Sequence, residues 1–80
     1  MGMYLRSSDR GVYMAEKTRK DGFVHMSRIY GYRSGKGSSY GCYIAVYRES
    51  MLPGSYEVIS EEEYTDGVNG LLEDMRGMLC

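Results

Sequence analysis

The chain changes its hydrophobic period once. From residue 64 onward, apolar side chains recur at Tyr64, Val68, Leu71, Leu72, Met75, Met78 and Leu79, the spacing of one face of an α-helix. Ser60 is followed three residues later by Glu63, the spacing of a capping box, and Glu61-Glu62-Glu63 put negative charge at the positive end of the helix dipole. Before residue 60 the chain alternates with period two or breaks into turns. One helix cannot build a bundle, so it has to cover a sheet. The expected fold is therefore α+β: an antiparallel β-meander of four to five strands with one C-terminal amphipathic helix packed on one face. It forms a single domain over 1–80, with the β-sheet in 1–59 and the helix in 60–80.

The strands read as Met3–Arg6, Val12–Thr18, Phe23–Arg33, Tyr40–Arg48 and Tyr56–Ile59. Ser7-Ser8-Asp9-Arg10-Gly11 is turn chemistry, and Asp21-Gly22 supplies the positive φ angles of a tight hairpin. Ser34-Gly35-Lys36-Gly37-Ser38-Ser39 reads as a flexible loop and Pro53-Gly54 as a turn. Because the connections are short, consecutive strands should pair.

The helix is expected to cover the face with Cys42, Ile44 and Val46, joined by Val12 and Met14. The other face would then present Tyr13, Lys17, Tyr43 and Tyr47. The long strand leaves its parity open. Phe23 and Ile29 suit the core by one alternation, and Val24, Met26 and Tyr30 by the other; under the first, Arg28, Tyr30 and Tyr32 join the open face.

Charge is distributed unevenly. Residues 1–48 hold nine Lys or Arg and three Asp or Glu, a balance of +6, and residues 49–80 hold one Arg and eight Asp or Glu, a balance of −7. Such asymmetry speaks to fields and partners rather than fold. It has two readings: a basic and an acidic binding surface, or halves that lie together and neutralise each other. With 42% hydrophobic and 26% charged residues the chain has the composition of a folded domain. No apolar run nears the roughly 18–20 residues of a membrane helix, and the N-terminus has no apolar core of a secretory signal. A cytoplasmic location without membrane contact is expected, in the host cytoplasm if the protein is phage-encoded.

The chain has nine tyrosines. Tyrosine and arginine are enriched at binding hot spots, and tyrosine is also a good strand former. The candidate partner- or ligand-binding set is Arg28, Tyr30, Tyr32, Arg33, Lys36, Tyr43 and Tyr47. A second candidate is the acidic helix face, Glu62, Glu63, Asp66, Glu73 and Asp74, as a mimic of nucleic-acid phosphates. Gly67, Gly70 and Gly77 each cost roughly 1 kcal/mol against Ala in a helix interior. They read either as points of close approach by another chain or as glycines tolerated in a bent or frayed helix.

No constellation points to catalysis. Gly31 to Ser38 resembles a phosphate loop only briefly: three residues, not four, separate Gly31 from Gly35, and a strand rather than a helix follows. The aromatic stretch Tyr40–Tyr47 lacks the parity of an RNA-recognition strand, because Tyr40 and Tyr43 point to opposite faces. His25 is the only histidine and has no grouped partners. Cys42 reads as a buried small hydrophobe and Cys80 as a free thiol, and nothing in their spacing supports a disulfide between them. No metal, cofactor or enzymatic activity is expected.

Three functions stay open. The first is a small protein-binding inhibitor or adaptor. In character, though through no motif, the chain is similar to phage-encoded inhibitors of bacterial defence such as anti-CRISPR proteins. The second is nucleic-acid or nucleotide binding through a basic Tyr/Arg sheet face. The third is a structural homo-oligomer subunit, in which self-association completes a small core.

Overall fold

The computed structural model describes residues 2–34 and 37–79. The elements in chain order are β1 (Tyr4–Arg6), β2 (Val12–Lys20), β3 (Phe23–Ser34), β4 (Gly37–Arg48), a 3-10 turn (Glu49–Met51), β5 (Glu57–Ile59) and α1 (Glu61–Leu79). The strands form one antiparallel sheet in the order β4-β3-β2-β1-β5. The first four strands make the expected meander. The fifth does not pair with its predecessor β4 but crosses the sheet to pair with β1.

Local chemistry sets each turn. Between β1 and β2 the Asp9 carboxylate accepts from the Ser7 hydroxyl at 2.6 Å and the Gly11 N–H at 2.9 Å, while Ser7 Oγ accepts from the Val12 N–H at 3.0 Å. The Ser7 hydroxyl above all, then the Gly11 N–H, holds the Asp9 carboxyl below its ordinary pKa. Between β2 and β3, Asp21 and Gly22 both take positive φ, 54° and 78°, as a type I′ turn requires. The Ser34–Ser39 stretch differs from the expected loop. The ladder runs to the Ser34–Gly37 pair, with Tyr32 opposite Ser39 and Arg33 opposite Ser38, so pairing with a long partner strand overrides the weak strand propensity of Ser and Gly.

The two faces of the sheet are covered by different things. Leu5, Val12, Met14, Val24 and Met26 are at most 2% exposed and form the core. Leu52 and Tyr56, from the connection between β4 and β5, pack on that cluster with Met3, Tyr30 and Tyr47. The crossing connection is therefore the lid of the core. It runs through a cis Leu52–Pro53 peptide. The β2–β3 register places Val12 opposite Tyr30 and Met14 opposite Arg28, so the second alternation of the long strand is the buried one. Phe23, of the first alternation, is 44% exposed.

The helix lies on the reverse face, against β1, β2 and β3. Its Tyr64 ring stands 5.0 Å from Tyr4 and 6.5 Å, edge-on, from Tyr13, centroid to centroid. Tyr13, expected on an open face, is only 6% exposed. Gly67 sits on the Tyr13 ring, where a Cβ would collide with Cε1 and Cζ. The close approach at this glycine is thus to the chain's own sheet. Nothing lies within 4 Å of a Cβ placed at Gly70. Ser60 caps the helix as expected, accepting from the Glu63 N–H at 3.1 Å. Burial holds the Tyr64 hydroxyl above its ordinary pKa, with smaller contributions from Cys42 and Tyr4.

The expected grouping of Val12 and Met14 with Cys42, Ile44 and Val46 is corrected by the register. Met14 aligns with Arg28 and then Tyr43, whereas Cys42 aligns with Ile29 and then Tyr13. Val12 and Met14 therefore share a face with Tyr43. Cys42 is exposed rather than buried, as are Ile44 and Val46, because the helix lies over the other end of the sheet.

Candidate functional site

Five of the seven sequence-derived binding residues come together on β3 and β4. Arg28, Tyr30, Tyr32, Tyr43 and Tyr47 occupy one face of this hairpin, continuing the core face beyond the crossing connection. The Tyr30 ring lies 6.2 Å from Tyr32 and 6.1 Å, nearly perpendicular, from Tyr43. The Arg28 guanidinium stands 5.8 Å from the Tyr43 ring centroid, within cation–π range. Arg28 Nη1 donates to the Tyr47 hydroxyl at 3.2 Å. Arg33 lies on β3 opposite Ser38; its side chain, and Lys36 as a whole, lie outside the described residues.

Glycines set the height of the rings. Tyr30 lies over its cross-strand partner Gly41, where a Cβ would come within 2.6 Å of the ring. Tyr32 lies over Gly11, where the corresponding distance is 2.7 Å. A bare backbone beneath each ring lets the tyrosines lie down along the sheet and touch one another. The pairing of an aromatic residue with a cross-strand glycine was a signal in the sequence that parity reasoning overlooked. Tyr56 was also missed as a neighbour of this site. It comes from the crossing connection and, with Tyr47 and Tyr43, contributes to the field at Arg28.

Arg28 is held firmly for a surface cation. Burial pulls its pKa down, but the Tyr47 hydrogen bond and the surrounding tyrosines outweigh that and leave it above its ordinary value. Its Nε is buried without a hydrogen-bond partner. Tyr32 and Tyr43 are exposed, at 44% and 48%, while Arg28, Tyr30 and Tyr47 are half-buried. The arrangement is an ordered aromatic patch with one oriented cation and two accessible rings.

The remaining candidates are arranged differently. Glu62, Glu63, Asp66, Glu73 and Asp74 are all exposed on α1. Glu63 serves the fold, because it closes the cap with Ser60 and accepts from Arg6 at 3.4 Å. Arg6 also donates to Glu57 at 2.8 Å, and this bond more than any other raises its pKa. Arg19 bridges Glu16 and Glu49. Two cations of the basic half are thus bound to carboxylates, three of them from the acidic half, as the neutralising reading of the charge split requires. His25 is half-buried, and its Nδ1 lacks a hydrogen-bond partner. Among the described residues no group of His, Cys, Asp and Glu is placed to hold a metal ion. No described helix is long and apolar enough to cross a membrane.

Comparison with protein-family models, curated proteins and solved structures yields no match to this chain.

Proposed function

We propose that the protein is a non-catalytic binding module that docks a protein partner on the Tyr/Arg face of β3 and β4. The observation that carries this reading is the mutual packing of Arg28, Tyr30, Tyr32, Tyr43 and Tyr47 on one face, with the Tyr32 and Tyr43 rings exposed. Tyrosine gives large contact area at low entropic cost, and tyrosine and arginine supply much of the energy at protein interfaces. Arg28 is already oriented by Tyr43 and Tyr47, so less ordering remains to be done on binding. An inhibitor or adaptor is the form of binding that suits a chain of this size, and inhibition of a bacterial defence system is one member of that class.

The charge arrangement favours protein over nucleic acid. Phosphate binding needs several free cations on one surface, whereas Arg6 and Arg19 are held by carboxylates and the aromatic patch contains one described cation, Arg28. Stacked tyrosine and arginine also suit a base and its phosphate, and the test separates the two.

The tagged protein is pulled from a bacterial lysate with and without nuclease, beside a Tyr32→Ala/Tyr43→Ala variant and a Glu62→Lys/Asp66→Lys/Glu73→Lys variant. A stoichiometric protein should survive nuclease, remain with the helix variant and be lost with the tyrosine variant. Truncating two hot-spot tyrosines should weaken binding by about 30-fold or more, taking roughly 2 kcal/mol for one hot spot. A partner retained by the tyrosine variant and lost by the helix variant would move the site to α1. Oligonucleotide binding that weakens steeply with salt would move the function to nucleic acid.

A further inference from the structure

We infer that β4 pairs with β4 of a second copy of this chain, antiparallel, across a two-fold axis at Ile44. The proposal does not rest on the tyrosine–arginine reading. β4 pairs with β3 along all twelve of its residues and is the outermost strand on that side. Proteins blunt exposed edges with short strands, charges, prolines or bulges. β5, the opposite edge, is three residues long. β4 has only a terminal charge, Arg48: from Gly37 to Tyr47 it has no charge and no proline, and its register with β3 runs without a shift.

The same strand exposes an apolar strip. Ile44 is 54% and Val46 55% exposed, with Cys42 beside them and Phe23 on the same face of β3. α1 leaves Ile44 and Val46 uncovered. Glu63 reaches Arg6 on β1, and Leu72 lies nine residues further along, about two and a half turns. Leu72 is 41% exposed.

The sequence of β4 identifies the occupant. A two-fold axis at Ile44 sets Cys42 against Val46 of the other copy, Tyr43 against Ala45, Gly41 against Tyr47 and Tyr40 against Arg48. Apart from Ile44, which meets itself at the axis, each pair sets a smaller side chain against a larger one or a cation against an aromatic, so no like charges oppose each other. The charges agree. Antiparallel pairing puts the two Arg48 side chains at opposite ends of the interface, whereas parallel pairing would set them side by side. The pairing is closed, because it leaves a ten-stranded sheet, five strands from each copy, whose outer edges are the short β5 strands. The axis stands perpendicular to the sheet. Both α1 helices then flank a shared apolar trough on one side, and both Tyr/Arg patches lie together on the other.

Sedimentation equilibrium of the purified chain from low to high micromolar concentration tests the proposal, with the mass expected to rise from 9.1 kDa to twice that value and stop. Ile44→Lys and Val46→Lys place charge on exposed positions and should hold the chain at 9.1 kDa with an unchanged circular dichroism spectrum. Disulfides probe the register, because directly opposed Cα atoms lie about 4.5–5.5 Å apart, within disulfide reach. In a Cys42→Ser/Cys80→Ser background Ile44→Cys should cross-link to itself on oxidation, and Val46→Cys should not. With Cys42 restored, Val46→Cys should cross-link to it. A chain that stays monomeric at high micromolar concentration, growth beyond two copies, or self-cross-linking of Val46→Cys in place of Ile44→Cys would overturn it. These readouts need no ligand, and their failure leaves the pull-down test of the aromatic face intact.

Discussion

The two ends of the sheet use similar strand sequences to opposite effect. At the β1–β2 end both faces are covered, one by α1 and the other by the connection that carries Leu52 and Tyr56. At the β3–β4 end the strands run on past both covers. The molecule is accordingly elongated, 43 × 25 × 20 Å. Tyr13 and Tyr43 show the consequence: the first is buried beneath the helix, and the second is 48% exposed beside Arg28. Tyrosine tolerates either setting because its ring is apolar and its hydroxyl polar. Coverage, more than strand chemistry, decides whether a residue stabilises the fold or remains available to a partner.

The largest expected effect tests this division directly. Leu5→Ala removes a fully buried side chain from under the crossing connection and should cost about 2–5 kcal/mol. Ile44→Ala, in the apolar strip of the open arm, should change stability by no more than about 0.5 kcal/mol in the monomer. Urea unfolding at low protein concentration measures both. Equal losses at the two sites would mean that the arm is packed as tightly as the covered end.

A pair of helix glycines sharpens the comparison at smaller scale. Gly67→Ala drives a methyl group into Tyr13. Overpacking of this kind costs about 1–3 kcal/mol and should outweigh the roughly 1 kcal/mol that alanine gains in a helix. At Gly70 the space is open, so the propensity gain stands alone and the variant should be more stable by roughly 0.5–1 kcal/mol. Thermal unfolding gives the sign for each variant. Stabilisation by Gly67→Ala would show that the helix does not rest on Tyr13.

These particulars show how much could be read from the sequence. The helix and its cap could be read, because Ser60 and Glu63 act within one turn. So could the Asp21-Gly22 hairpin, whose φ angles are a local property of two residues. The membership of the aromatic patch was also within reach, since Arg28, Tyr30 and Tyr32 share parity on one strand, as Tyr43 and Tyr47 do on the next. Its relation to the core was not. Val12 and Met14 join the face of Tyr43 only through a register that connects three strands, and no single strand carries that information. The crossing of β5 was hidden for a related reason. The connection from Glu49 to Tyr56 looks like a turn, but Leu52 and Tyr56 find their burial on the far side of the sheet. The edge character of β4 follows from that crossing, so it too was out of reach until the strand order was known.

The smallest expected effect concerns pH, and both groups that carry it belong to the covered end. Tyr64 has its pKa raised by burial. Its neutral form is the one the fold prefers, so its contribution is complete below its ordinary value of about 10 and is lost as pH rises through the higher folded value. Asp9 has the opposite sign. Its lowered pKa, set by Ser7 and Gly11, means that its contribution is present above about pH 3.9 and fades as pH falls through the lower folded value. Urea midpoints of the wild type and Tyr64→Phe should therefore converge or cross above about pH 10, the wild type losing more with each increment. Asp9→Asn should flatten only the acid limb. Parallel curves for the wild type and Tyr64→Phe on the alkaline side would show that the hydroxyl is as free in the fold as in the unfolded chain, and that α1 leaves the Tyr4–Tyr13 surface open to water.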